Sequence, residues 1–177
     1  MKKTFIVIMF FVIFLLLFFL QSNFFSWYNI AGIKPNLFII YVLVIGLFLG
    51  RKFGFAFGVI FGLLLDFFVG KRIGFNAISL GITGIIGGAI DKSFSKESRI
   101  TFMIMTIVTT ILSEIISYTL QIILIGARQD FSSFMKIVCI ESLFNSAMVI
   151  ILYPLIQNWG NKIEEIFNEK KSLMRYY

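Results

Sequence analysis

The sequence predicts an all-α integral membrane protein, a bundle of six transmembrane helices forming a single transmembrane domain over residues 1–177. Three observations predict it. Hydrophobic residues make up 59% of the 177 and charged residues only 14%, whereas soluble domains carry about 25% charged residues. The apolar residues come in blocks at or near the ~20 residues needed to cross a bilayer. The basic residues gather in the short stretches between those blocks. This length fits one compact bundle and no second soluble domain.

The first block begins with two lysines and runs apolar from Phe5 to Leu20. A secretory signal starts similarly, but its apolar part is ~7–15 residues and ends in a small-x-small cleavage pattern. Here "QSNFFSW" follows, so a retained first helix is expected over about 4–22. Residues 21–36 form the longest connection, and its Trp27 and Tyr28 suit the headgroup interface. Pro35 suits the first turn of a second helix, over 35–49. Arg51 and Lys52 interrupt the pattern before a third helix over 53–69, and Lys71 and Arg72 before a fourth over 73–90. Spans two and three are near the lower limit for crossing. The polar loop "DKSFSKESR" leads to a fifth helix over 100–125, and "GARQDFSS" turns into a sixth over 134–159, with Pro154 bending its last turns. Residues 160–177 are expected to be a charged cytoplasmic tail, able to lie on the membrane as a short amphipathic helix.

Six helices put both termini on one side. That side holds eleven basic residues (Lys2, Lys3, Arg51, Lys52, Lys92, Lys96, Arg99, Lys162, Lys170, Lys171 and Arg175). The other holds five (Lys34, Lys71, Arg72, Arg128 and Lys136). The excess predicts a multi-pass protein of the cytoplasmic membrane with both termini in the cytoplasm. The net charge of +7 is then read as topology signal and contact with anionic lipid, not nucleic-acid binding. One cysteine, Cys139, excludes an intramolecular disulfide and is expected to pack as a small apolar residue. The absence of histidine removes the commonest general base and zinc ligand, so no metal, cofactor or catalytic residue is expected.

Gly54, Gly58, Gly62 and Asp66 recur every four residues, a slowly drifting stripe on one face of the third helix. Gly81, Gly84 and Gly88 form a similar face on the fourth. Small residues let helix backbones approach closely in lipid, so these faces suit either packing within the bundle or docking of a partner helix. Asp66, Glu114 and Glu141 are acids at membrane depth, each costing at least ~2.5–3.5 kcal/mol near the centre of a span. Asp66 lies about one turn from Lys71 and Arg72, which suits a local ion pair, with a hydrogen bond to a neighbouring helix the next choice. Asn76, Ser79 and Thr83 give the fourth helix a polar face. Thr106, Thr110, Ser113, Ser117 and Gln121 do so for the fifth, beside Glu114; Glu141 and Asn145 do so for the sixth. These faces line either a shared cavity or a dry core whose hydroxyls bond their own backbones.

The stretch from Lys34 to Gly88 resembles the rod shape-determining MreD family. Pro35, Asn36 and Leu37 match a Pro-Asp/Asn-Leu start to the second span. Gly58, Gly62, Leu63, Leu64 and Asp66 match a "GxxxGLLxD" helix, and Gly70, Gly74 and Ala77 match the entry to the next. The chain departs from the pattern at Phe67, Phe68 and Val69, followed by Lys71 and Arg72. The resemblance implies a fold similar to the substrate-binding subunit of energy-coupling-factor vitamin transporters. It also implies a non-enzymatic scaffold of the bacterial cell-elongation machinery, maintaining cell shape by organising lateral peptidoglycan synthesis. The partner implied is an MreC-like bitopic membrane protein, with MreB, RodA and a class B penicillin-binding protein in the wider assembly. The alternative reading is a small-molecule-binding membrane subunit of a vitamin transporter. An intramembrane hydrolase is disfavoured, because Asp66 near a helix end and Glu114 near mid-helix match poorly in depth.

Overall fold

The computed structural model describes residues 2–69, 73–90, 98–126 and 130–173. Helices α1 (Lys2–Ser22), α3 (Leu37–Leu49), α4 (Arg51–Val69), α5 (Phe75–Ile90), α6 (Arg99–Ile125) and α7 (Phe131–Leu173) correspond to the six expected. A single turn, α2 (Phe24–Trp27), is added in the long connection. Among the described residues, four helices are long and apolar enough to cross a membrane: Thr4–Trp27, Arg51–Val69, Arg99–Leu124 and Phe131–Gly160. Helices α3 and α5 have only 13 and 16 residues. At 1.5 Å per residue they reach about 20 and 24 Å, short of a hydrocarbon core of ~30 Å.

α3, α4 and α5 form the tightest part of the bundle. Gly50 alone separates α3 from α4, its φ of 88° turning the chain where a side chain would be strained. Arg51 and Lys52 therefore open α4 and stand exposed in its first turn instead of forming a loop. α1 lays its Ile6, Phe10 and Phe14 face, spaced four apart, against this layer. Phe14 stacks on Phe61 with centroids 4.8 Å apart, and Phe10 meets Phe57 edge-on at 5.1 Å. Such pairs add to plain burial. A second apolar cluster joins Leu43 and Leu47 of α3 to Phe102 of α6 and Val149 and Tyr153 of α7. Phe5 and Phe19, on the other face of α1, remain exposed, as a lipid-facing surface requires. Trp27 and Tyr28 are also exposed, at the end of that span.

Three boundaries differ from expectation. The second helix begins at Leu37, not Pro35: Asn36 stands at the N-cap with a non-helical φ of −102° and ψ of 86°, and its backbone N–H bonds to a side chain of α7. The last helix begins at Phe131 and runs through Pro154 without a break, so residues 160–173 continue it instead of forming a separate segment. Proline is tolerated inside a spanning helix where neighbouring groups satisfy the freed carbonyl. Cys139 lies exposed on α7 rather than in the core. Residues 71–72, 91–97 and 127–129 fall outside the described residues, and with them the expected ion pair of Asp66.

Candidate functional site

The glycine stripe of α4 lies against α5. A Cβ on Gly58 would strike the Leu80 carbonyl and the Gly81 Cα, and one on Gly62 would strike the Ala77 backbone. Gly54 and Gly84 meet backbone to backbone, with Gly46 of α3 at the same junction. Gly81 packs under Val59 and Phe55, and Gly88 against the Gly50–Arg51 backbone. All six stripe glycines singled out in the sequence thus sit on contacts between helices of this chain. Gly46 and Gly87, which meets the Leu43 carbonyl, extend the seam to α3. Gly46 extends the four-residue spacing back through Gly50, and Gly87 follows Gly84 by three, but only the fold shows what they meet.

Asp66 ends the α4 stripe, and its carboxylate faces the start of α5. It is 1% exposed. Its Oδ2 accepts from the backbone N–H of Gly74 at 2.7 Å and of Ala77 at 3.3 Å. Its Oδ1 accepts from the Asn76 backbone N–H at 3.1 Å and from Asn76 Nδ2 at 2.8 Å. The first N–H groups of a helix have no partner within it, and a carboxylate also complements the positive end of the helix dipole. Asp66 is therefore an N-cap supplied by the preceding helix. Two of the intramembrane polar residues expected from the sequence, Asp66 and Asn76, are joined in this cap.

The start of α3 is capped in the same way from a distance. Asn145 Oδ1 on α7 accepts from the Asn36 backbone N–H at 2.7 Å, and Gln21 Oε1 at the end of α1 accepts from the Leu37 N–H at 3.2 Å. Asn145 Nδ2 donates to Thr110 Oγ1 on α6 at 3.0 Å. Asn145 is fully buried and so joins three helices. Ser79 of α5 and Ser113 of α6 share a hydrogen bond. Thr83, Thr106 and Thr109 instead donate to carbonyls one turn back in their own helices. The polar faces of α5, α6 and α7 thus meet as bonded contacts.

Glu141 lies one turn before Asn145 on α7 and is buried. The Asn36 and Asn145 side chains lie within its reach, and Glu114 of α6 stands close enough to repel it. Its Oε1 and the hydroxyl of Ser142 have no hydrogen-bond partner among the described residues. The acids brought together are therefore Glu114 and Glu141, while Asp66 is engaged elsewhere. Glu114 and Gln121 are half-buried on α6, and beside them the Tyr118 ring meets Phe134 of α7 at a tilt, with centroids 4.6 Å apart. Among the described residues no group of three or more acids, histidines or cysteines is placed to hold a metal ion.

On the opposite side of α3, an apolar groove of about 570 Å³ runs between α1, α3 and α7. Neither residue spacing nor a motif announces it, because its walls come from three helices far apart in the chain.

Short helices with buried starts, capped by side chains of longer ones, define a helical membrane protein held together by polar contacts between its segments. The sequence matches the rod shape-determining protein MreD family over residues 1–163, and the chain belongs to that family. Membership links it to rod-shape determination. Neither a curated protein nor a solved structure matches the chain.

Proposed function

We propose that this chain is a non-enzymatic scaffold of the bacterial cell-elongation machinery, sited in the cytoplasmic membrane with both termini in the cytoplasm. It would maintain cell shape by organising lateral peptidoglycan synthesis with an MreC-like bitopic membrane protein. MreB, RodA and a class B penicillin-binding protein belong to the assembly it serves. The observation that carries the reading is the family match over nearly the whole chain. The use of Asp66 supports it: a carboxylate committed to three backbone N–H groups and one amide is a structural fastener. The orientation is supported by the exposed Arg51, Lys52 and Lys162, which lie at one end because Gly160 packs against Phe48. A likeness to the substrate-binding subunit of energy-coupling-factor transporters remains part of this reading for the fold.

Because the glycine stripe is covered by α5, a partner helix has to meet another face. The exposed apolar residues of α1 and of the outer parts of α6 and α7 remain for it. Co-purification from detergent tests the proposal. An MreC-like protein of the same cell should be retained with this chain, and depletion of the chain should round the cells. Unchanged rods after depletion, with no such protein retained, would sink it.

A further inference from the structure

The groove between α1, α3 and α7 has a volume of about 570 Å³. Its walls include Ile13 and Leu17 of α1, Ile40 and Val44 of α3, and Leu152 and Ile156 of α7. The Tyr41 hydroxyl on the same wall is turned away, donating to the Phe10 carbonyl at 2.9 Å. All three helices belong to the apolar bundle, so the groove opens to the hydrocarbon of the membrane, not to water.

Size selects the occupant. A spanning helix of 20 residues is a cylinder about 30 Å long and 10 Å wide, roughly 2,400 Å³, so only a small part of one would enter. A volume of 570 Å³ falls within the ~300–1,000 Å³ of sites that enclose small molecules. The floor is α3, about 20 Å long, slightly more than the ~15 Å depth of one leaflet. A single acyl chain meets both conditions.

Charge selects the headgroup. The groove ends at Leu49, Trp159, Gly160 and Ile163. At that end Arg51 and Lys52 open α4 two and three residues beyond Leu49, and Lys162 lies between Gly160 and Ile163; all three are exposed. Trp159, about half exposed, suits the boundary between chain and headgroup. We propose that the groove holds one acyl chain of an anionic phospholipid, its phosphate held at Arg51, Lys52 and Lys162. The site is independent of the scaffold reading and of any protein partner.

Trp159 reports on it directly. The chain has two tryptophans, and Trp27→Phe leaves only the one in the groove. This variant is reconstituted at low protein-to-lipid ratio in phosphatidylcholine vesicles containing a minor fraction of lipid with brominated acyl chains. The brominated lipid is either phosphatidylglycerol or phosphatidylcholine. Occupancy by an anionic lipid predicts that brominated phosphatidylglycerol is enriched at Trp159 by about fivefold over brominated phosphatidylcholine, the factor one basic side chain near a headgroup supplies. Replacing Arg51, Lys52 and Lys162 together by Gln should bring the two lipids level, and Val44→Phe should lower quenching by both. Equal quenching of the Trp27→Phe protein by the two lipids overturns the proposal. So does quenching that falls as the protein-to-lipid ratio rises, which marks a second copy in the groove. The comparison of the two lipids needs no groove variant, so a misfolded substitution leaves it decisive.

Discussion

Asp66 and Asn76 are joined twice: one carboxylate oxygen accepts both the backbone N–H of Asn76, at 3.1 Å, and its side-chain amide, at 2.8 Å. With Gly74 and Ala77 on the other oxygen, the last turn of α4 supplies the cap that α5 lacks. Asp66→Leu should cost about 3 kcal/mol or more, since hydrogen bonds to a charged group are worth ~1.5–3 kcal/mol each and the orphaned donors stay buried. Asp66→Asn keeps one acceptor oxygen and should fall between. Thermal unfolding in detergent should rank wild type, Asn and Leu in descending order. A leucine variant as stable as wild type would remove the cap from the account.

The glycine seam makes a graded prediction. Gly62→Ala sets a methyl against the Ala77 backbone, which cannot retreat as a flexible side chain would. It should lower the unfolding temperature clearly, and Gly62→Leu should prevent a folded monomer. Gly126 has open space around its Cβ position but a φ of 68°. Gly126→Ala should therefore cost only about 1 kcal/mol of backbone strain. Equal losses at the two positions would contradict a packing role for Gly62.

Asn145 couples α3, α6 and α7. Asn145→Leu leaves the Asn36 N–H without its acceptor and should cost about 1–3 kcal/mol. Thr110→Val removes the other contact. Because the two residues touch, the double variant should lose less than the sum of the single losses. Strict additivity would show that the contact contributes nothing.

Glu141 has the opposite sign. For a buried carboxylate with one orphaned oxygen beside Glu114, the contacts with the Asn36 and Asn145 side chains offset only part of the cost of burial. Glu141→Gln should leave the unfolding temperature equal or raise it. If the variant is stable but retains less of an MreC-like partner, the orphaned oxygen is used between chains.

Asp130, exposed at the start of α7, predicts a small pH effect. The Ser132 hydroxyl, and then backbone N–H groups of Ser133, Ser132 and Phe131, hold its carboxyl below the usual carboxylate range. The folded state therefore favours the ionised form. This contribution is complete above the ordinary carboxylate range and is lost as pH falls through the lowered value. Amide exchange at Ser132 and Ser133 should quicken over that window, and Asp130→Asn should flatten the change.

The helices were legible because apolar blocks broken by charges leave few alternatives in a chain this greasy. The glycine stripes were legible as faces, since four-residue spacing fixes which side of a helix they share, but not as seams with a stated partner. A hydrogen bond from Asp66 to a neighbouring helix was among the readings, and the start of α5 as its target was not. The sequence shows a nearby Lys71 and Arg72, which lie outside the described residues; the partners found among the described residues are mostly backbone N–H donors, which no pattern displays. Asn145 and Asn36 lie 109 positions apart, a pairing no local signal encodes. Glu114 and Glu141 were legible as members of polar faces on two successive helices, but helical spacing alone does not fix that these two acids face each other.

That separation of 109 residues also bears on biogenesis. Helices α4 and α5 form a hairpin whose cap is only 8–11 residues away in the chain, so the pair can enter the bilayer with its turn already satisfied. The beginning of α3 has no such local remedy for the Asn36 N–H, because the oxygen that accepts it arrives with the final helix. A backbone donor left open in hydrocarbon is costly, and a contact between distant parts of the chain forms late. Truncation before Asn145 should therefore leave a chain that inserts but stays recognisable to membrane quality control, because the second helix is not finished until the last one is made.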